Sequence, residues 1–247
     1  MKDIDPSKPV REVALRDRRI RVALEQLGID VCCGGRRPLI EAARAAGIAL
    51  DTVQEAIASA LRTQPATASA RRDWTVASLA ELTDHIESTH HAFLRTVLPR
   101  IADRLGKVIK AHGQAHGSVL HEVKSTFDGL RTEIEAHLMK EEQILFPYLR
   151  EMSAALEKGK ELPPMHCGSV SNPIRQMEDE HDHAGAALSA MRACTSGYKL
   201  PADACPTFAA LYEDLKALEA DLHEHVFLEN NILYPRAEEA EQSARKN

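Results

Sequence analysis

The chain has 247 residues, 44% of them apolar, and a formal net charge of −6 at pH 7. That length suits one large domain or a domain with a smaller module, and the charge is too small to indicate a nucleic-acid partner. Aromatic residues make up only 4%, and Ala, Leu, Glu and Arg dominate, which favours helices over sheets. No long apolar run indicates a membrane span or a secretion signal, and five cysteines, an odd number, are typical of a reducing compartment. We therefore expect a cytoplasmic protein with no membrane contact.

Proline and glycine residues divide the first part of the chain into short segments. Residues 10–25 and 38–62 are predicted to be helices, and residues 1–62 to form a small helical module. The turn between these helices contains the adjacent pair Cys32 and Cys33, followed by two glycines. Residues 63–75 begin with Thr-Gln-Pro-Ala-Thr-Ala-Ser-Ala and are predicted to be a linker.

Four longer helical patterns occupy residues 76–247. Helix A is predicted from about 76 to 98, closed by Pro99, with a further helical stretch to about 111. Helices B, C and D are predicted over about 119–151, 174–194 and 207–239. Three histidines between helices A and B are predicted to be solvated loop residues: His112, His116 and His121. These patterns predict an all-α fold, with a four-helix bundle and a small N-terminal helical domain.

An internal repeat links helices B and D. His137-Leu-Met-Lys-Glu-Glu-Gln-Ile-Leu-Phe-Pro147 matches His225-Val-Phe-Leu-Glu-Asn-Asn-Ile-Leu-Tyr-Pro235 in its His, Glu, Ile, Leu, aromatic and Pro positions. The two copies are 88 residues apart, and His91 and His181 of the preceding helices are 90 apart. Two helix pairs of one design therefore predict a bundle with a pseudo-twofold relation between its halves.

The repeat predicts a metal site. Residues at i and i+4 share a helix face, so His137 projects with Glu141 and His225 with Glu229. Each pair interrupts an apolar stripe of its helix, as His181 does in helix C. A buried carboxylate costs several kcal/mol or more unless it is paired or binds a metal. Imidazole with carboxylate suits iron, manganese or zinc, and two carboxylates that can bridge indicate two ions.

Helix A leaves its ligand open. The apolar stripe through Leu79, Leu82 and Ile86 passes through His90, whereas the neighbouring stripe through Leu94 passes through His91. Periodicity alone slightly favours His90, and the repeat favours His91.

These motifs resemble the hemerythrin-type His-His-Glu cation-binding bundle, and within it the repair-of-iron-centres di-iron proteins. The resemblance covers nearly the whole chain, and it is carried by Asp30-Val-Cys-Cys-Gly-Gly35, His137 to Pro147, Glu180-His-Asp-His-Ala-Gly185, Pro201-Ala-Asp-Ala-Cys205 and His225 to Pro235. It implies a hemerythrin-like up-and-down bundle. It also implies two non-haem iron ions with oxo and carboxylate bridges, held by His91, His137, Glu141, His181, His225 and Glu229.

The resemblance further implies a function in nitrosative and oxidative stress. Proteins of this kind repair or protect iron–sulfur clusters, so damaged iron–sulfur proteins are the expected clients and nitric oxide or oxygen the expected small ligand. Such a protein is not a conventional enzyme, although nitric oxide reduction with an unknown electron donor stays an alternative, as does nitric oxide or oxygen binding without repair. A homodimer is left open.

Cys32 and Cys33 are the candidate reactive thiols. Adjacent cysteines form at best a strained disulfide, so a resting bridge between them is not expected. Our hypothesis is that the thiols meet iron, nitric oxide or a client protein, and the alternative is two small apolar residues in a tight turn. Cys167, Cys194 and Cys205 are predicted to be structural.

Overall fold

The computed structural model describes residues 4–62 and 72–245. Every regular element in these ranges is helical, and the pairing of extended backbone is limited to one isolated bridge between Pro9 and Pro38. The predicted all-α fold is therefore confirmed. Most of the predicted linker, residues 63–71, lies outside the described ranges. Within those ranges no helix combines the length and the apolar character needed to cross a membrane.

The chain divides into two compact units, and the first consists of Met1–Val76 with Val226–Ile232. Its described helices are α1 (Val10–Ala14), α2 (Arg18–Gln26), α3 (Leu39–Ala45) and α4 (Leu50–Arg62), with a 3₁₀ turn at Gly34–Arg36. The sequence predicted two helices where the structure has four. Asp17 starts α2 by accepting a hydrogen bond from the Arg19 backbone N–H, and Gly47, at a φ of 71°, follows the end of α3. Such local stop and start signals outweigh the longer periodicity.

The second unit, Ala77–His225 with Leu233–Asn247, is the helical bundle. Its helices are α5 (Leu79–Ile86), α6 (Ala92–Lys140), α7 (Phe146–Glu157), α8 (Ser171–Cys194), α9 (Pro206–Leu228) and α10 (Tyr234–Ala244). The longest, α6, packs on α8, and α5 packs on α7. The apolar core contains fully buried side chains from α6 and α9, among them Leu94, Ile101, Phe127 and Leu215.

Predicted helices A and B are joined without a loop. Helical hydrogen bonding continues through α6, and only His116, at φ −124° and ψ 18°, departs from helical geometry. A straight 49-residue helix would be roughly 70 Å long, yet α5 and α7 at its two ends pack on each other. The chain therefore reverses direction at His116. The prediction of a loop around this histidine was wrong, although the reversal itself lies there.

Pro99 does not close helix A, because it lies inside α6. A proline in a helix interior removes one hydrogen bond and costs about 3 kcal/mol. Val97, Leu98 and Ile101 around it are all buried in the bundle core. Burial of such side chains contributes about 1.5–3 kcal/mol each, so packing outweighs the proline.

Three short π-helical turns interrupt the bundle helices: Glu87–His91, Glu141–Leu145 and Glu229–Leu233. The last two are each followed by an aromatic residue and a proline, Phe146-Pro147 and Tyr234-Pro235. Proline has no N–H to donate to the carbonyl four residues earlier, and its ring clashes with that carbonyl. The repeat thus gives a local reason for the wider turns, which in proteins are frequent at functional sites.

Candidate metal centre

The buried carboxylate of Glu141 lies at the centre of a group of histidines. Its side chain has no solvent exposure. From its Oε2 atom, the Nε2 atom of His91 is 3.3 Å away, that of His137 is 3.4 Å away and that of His225 is 4.0 Å away. Its other oxygen, Oε1, accepts a hydrogen bond of 2.7 Å from the Tyr234 hydroxyl. Three imidazoles from three helical segments therefore converge on one carboxylate.

Two of these histidines have a carboxylate at the opposite ring nitrogen. Nδ1 of His91 lies 2.7 Å from Glu142 Oε1, and Nδ1 of His137 lies 2.9 Å from Glu180 Oε2. A carboxylate that accepts a hydrogen bond from Nδ1 fixes the tautomer in which Nε2 carries a lone pair. With a metal ion bound, the lone pairs of His91 and His137 would be directed towards it, whereas without an ion the same rings favour the charged form of Glu141.

His181 completes the set of buried imidazoles. Its Nε2 lies 3.2 Å from Nε2 of His137, and its ring stacks on Tyr234 with a centroid separation of 6.1 Å. If His137 Nε2 carries a lone pair, His181 must donate a proton to it or share a cation with it. The donor set therefore fits a cation without rearrangement of the helices.

The six predicted metal ligands fall into two buried groups. Within each group, the potential ligand atoms lie within 4.8 Å of one another. The first group is His91, Glu141, His225 and Glu229, and the second is His137, His181 and Glu229. Each group combines imidazole with carboxylate and contains no thiol. Because Glu229 belongs to both groups and Glu141 also lies beside His137, both carboxylates are near the two sets of imidazoles.

The charges of the centre are balanced by its histidines. Burial opposes ionisation of Glu141, but His137, His91 and His225 outweigh it and hold the pKa of Glu141 well below its ordinary value. The hydrogen bond from His137 lowers the pKa of Glu180 to about 2, with further help from Lys140 and against partial burial. Both carboxylates are thus anionic at neutral pH.

His90, the alternative ligand of the first helix, lies elsewhere. It is buried, but its Nδ1 is 3.0 Å from Asp221 Oδ1, and its ring stacks on that of His225 at a centroid distance of 5.5 Å. It belongs to neither group of ligand atoms described above. The structure brings His91, and not His90, to Glu141.

Comparison with known proteins decides the family. The model of the hemerythrin HHE cation-binding domain matches residues 81–237, and that of a domain of unknown function, DUF542, matches residues 6–61. The chain belongs to the hemerythrin HHE family. The iron-sulfur cluster repair protein YtfE of Escherichia coli O81 (strain ED1a) is 35% identical over 230 residues, which are 93% of this chain and 96% of the relative. The proteins of the same name from Escherichia coli O1:K1 / APEC and Escherichia fergusonii are 34% identical over the same shares of both chains.

The residues that support this candidate centre had only weak signals in the sequence. Glu142 follows a predicted ligand, and Glu180 precedes one, yet each contacts a histidine of a different helical segment. Only the packing of the bundle reveals these pairs. Tyr234 was visible as the aromatic position of the repeat, but its hydroxyl has no counterpart in Phe146, which stacks on His91 instead.

The Cys32–Cys33 turn lies in the part of the chain that matches DUF542. The Asp30 carboxylate accepts hydrogen bonds from the backbone N–H groups of Cys32 and Cys33 at 3.0 and 2.9 Å, and from the Cys32 thiol at 3.2 Å. Asn231, of the same unit, donates to the carbonyl oxygen of Cys32 at 3.3 Å. A Cβ atom on Gly35 would lie 2.1 Å from Asn231 Oδ1. Both cysteines are in the thiol form and partly exposed, so the turn presents two thiols on a hydrogen-bonded backbone.

Proposed function

We propose that this protein is a di-iron protein of the nitrosative and oxidative stress response that repairs or protects iron–sulfur clusters. The observation that carries the metal part is the convergence of three imidazole Nε2 atoms on the fully buried Glu141 carboxylate. A donor set of imidazole and carboxylate groups, with no thiolate, suits non-haem iron. The repair part is supported by relatives that are named iron-sulfur cluster repair proteins and that align over 93% of this chain.

We assign the two ions to the six residues of the two ligand groups. His91, His137, His181 and His225 supply terminal imidazoles, and Glu141 and Glu229 supply carboxylates that can bridge. When bound, the iron pair supplies redox chemistry and Lewis acidity, and an oxo bridge would complete the set. Six protein donors leave some positions of two octahedral ions open, which is where a diatomic ligand such as nitric oxide fits.

The remaining residues of the centre hold it in place. Glu142 and Glu180 orient the rings of His91 and His137 through their Nδ1 atoms, and Tyr234 restrains Glu141 through its hydroxyl. In the other unit, the turn of Cys32 and Cys33 is the candidate contact with iron, nitric oxide or a client protein. The side chains of Asn230 and Asn231 donate hydrogen bonds to the Cys32 carbonyl oxygen. Both thiols remain partly exposed.

Metal content with an absorption spectrum tests the centre. We expect about two irons per chain by the donor count of a two-ion site, and loss of most of the iron in Glu141→Ala and Glu229→Ala. Glu135→Ala is the matched control, because Glu135 lies in α6 just before the turn that carries Glu141 but forms an exposed pair with Arg131. Iron-free protein after production with ample iron would refute the di-iron assignment.

Recovery of a damaged cluster tests the function. The iron-loaded protein is mixed with an enzyme whose iron–sulfur cluster has been damaged by nitric oxide, and the activity of that enzyme is followed. We expect wild type and Glu135→Ala to restore activity and Glu141→Ala to restore little. Nitric oxide binding without any recovery would refute the repair proposal and leave a gas-binding protein.

A further inference from the structure

A buried histidine beside the metal centre, His90, belongs to neither of the two ligand groups. Its Nδ1 lies 3.0 Å from Asp221 Oδ1. Its ring lies parallel to the ring of His225, at an angle of 6° and a centroid distance of 5.5 Å. Asp221 precedes His225 by four residues in α9, so both side chains project from one face of that helix. His90 thus contacts a carboxylate with its nitrogen and a candidate ligand with its ring.

The surroundings of His90 fix its ring. The side chain is 5% exposed, and the ring of His85 packs edge-on against it at a centroid distance of 5.7 Å. Nε2 of His90 is buried and has no hydrogen-bond partner among the described residues, so Asp221 supplies the anchoring contact. A buried polar atom without a partner costs free energy. Fold stability alone therefore gives no reason for a histidine at this position.

The internal repeat shows what corresponds to His90 in the other half of the bundle. The offset of 90 residues between helices A and C pairs His90 with Glu180, and the offset of 88 between helices B and D pairs His137 with His225. Glu180 Oε2 contacts Nδ1 of His137 at 2.9 Å, as His90 contacts the ring of His225. The two contacts are therefore equivalent by the repeat, but a carboxylate makes one and an imidazole makes the other.

We propose that His90 is a positioning residue of the metal centre, which holds the ring plane of His225 by stacking while Asp221 anchors it. This inference rests on the proposed di-iron function. Residues that contact metal ligands from outside fix the orientation of those ligands. Glu180 does so through a directional hydrogen bond, whereas a parallel ring restricts the tilt of the ring that it covers. The two halves of the centre are thus supported by different chemistry.

The two ions should therefore respond differently to the loss of His90. His225 belongs to the first ligand group, and His137, with its carboxylate partner Glu180, belongs to the second. Removal of the His90 ring releases His225 from its stack and leaves the second group with its own support. One ion should then leave faster while the other keeps its wild-type rate. A general loss of stability would instead release both ions together, so selective release separates positioning from a merely structural role.

The test follows iron release from the full-length protein. Each variant is loaded with iron(II) in the absence of oxygen and mixed with an excess of ferrozine, and the absorbance of the chelate is recorded with time. His90→Ala removes the ring, and we expect one of the two ions to leave about 10- to 100-fold faster than in wild type. His90→Phe keeps a flat ring that can stack on His225. It should restore most of the wild-type rate.

His116→Ala is the matched control. His116 also contacts an aspartate, with Nε2 2.9 Å from Asp203 Oδ1. It is remote from the metal centre, because the stretch of α6 that leads from it to His137 spans about 30 Å. Loss of this His–Asp pair should leave the release of both ions unchanged. Circular dichroism shows whether each variant keeps its helices.

Three results would overturn the proposal. They are wild-type release of both ions from His90→Ala, equal acceleration of both ions, and release from His90→Phe that is as fast as from His90→Ala. If His90→Ala does not fold, Asp221→Asn decides, since it keeps the shape of the anchor but removes its charge. It should accelerate the release of one ion, and unchanged release would refute the proposal.

Failure of this inference is distinguishable from failure of the proposed function. Wild-type protein that takes up no iron would refute both the di-iron centre and the role of His90. Wild-type protein that holds its iron, with variants that behave like it, would refute the role of His90 alone. The outcome of the cluster-recovery assay changes neither result, because iron release is measured without an iron–sulfur client.

Discussion

Removal of the Tyr234 hydroxyl should weaken the bundle measurably. Tyr234 donates a hydrogen bond of 2.7 Å to Glu141 Oε1, and both side chains are fully buried. A hydrogen bond to a charged group contributes about 1.5–3 kcal/mol, and the loss of a donor leaves a buried carboxylate oxygen unsatisfied. In Tyr234→Phe the ring can keep its stacking on His181. We therefore expect the free energy of unfolding of the metal-free protein to fall by about that amount.

Urea denaturation at neutral pH after treatment with a chelator gives this quantity. The midpoint should fall while the slope stays constant, which shows that stability has changed and not the compactness of either state. Tyr198→Phe is the matched control. The Tyr198 hydroxyl is buried, and it has no hydrogen-bond partner among the described residues, so its removal should be neutral or slightly stabilising.

The same pair of variants tests the link to metal binding. Outer partners of metal ligands typically change metal affinity by about 10- to 100-fold, so Tyr234→Phe should release iron to a competing chelator faster than wild type, and Tyr198→Phe should not. Equal midpoints and equal iron release for the two variants would refute the argument that this hydroxyl restrains Glu141.

Two further predictions concern pH and backbone packing. The His137 hydrogen bond lowers the pKa of Glu180 from 4.5 to about 2. The contribution of ionised Glu180 to stability is therefore present above pH 4.5 and is lost as the pH falls towards 2. Glu180→Gln should flatten the pH dependence of the urea midpoint of the metal-free protein in this range. A Cβ atom at Gly35 would lie 2.1 Å from Asn231 Oδ1, so Gly35→Ala should destabilise the N-terminal unit by about 1–3 kcal/mol. Gly106→Ala, where no atom lies within 4 Å of the added Cβ, should instead raise the thermal midpoint through a gain of about 0.5–1 kcal/mol; equal shifts for the two glycine variants would contradict the steric argument.

The fold class and the paired candidate ligands depended on local sequence and could be predicted. A His and a Glu four residues apart share a helix face in any helix, so His137 with Glu141 and His225 with Glu229 were identifiable as pairs once the repeat was seen. Their positions on apolar stripes indicated burial, and the structure buries all four. No knowledge of the neighbouring helices was needed for this step.

The choice between His90 and His91 depended on tertiary structure. The periodicity argument assumed a constant 3.6 residues per turn, but Glu87–His91 forms a π-helical turn. The wider turn shifts the apolar stripe by about one residue, so Leu82 and Ile86 before it and Leu94 and Leu98 after it are all buried. Whether a helix widens at a given turn depends on how it packs against its neighbours. The periodicity of a single segment carries no information about that packing.

The chain reversal and the partners of the candidate ligand histidines were likewise decided by tertiary structure. Glycines near His116 suggested a loop, whereas the chain reverses there through a single residue with non-helical geometry. Glu142 and Glu180 act on histidines 51 and 43 residues away. The sequence alone determined that the chain forms helices with buried histidine and glutamate, because those features depend on residues within one or two turns. Only the packed bundle determined which side chains meet, because each contact joins residues far apart in the chain.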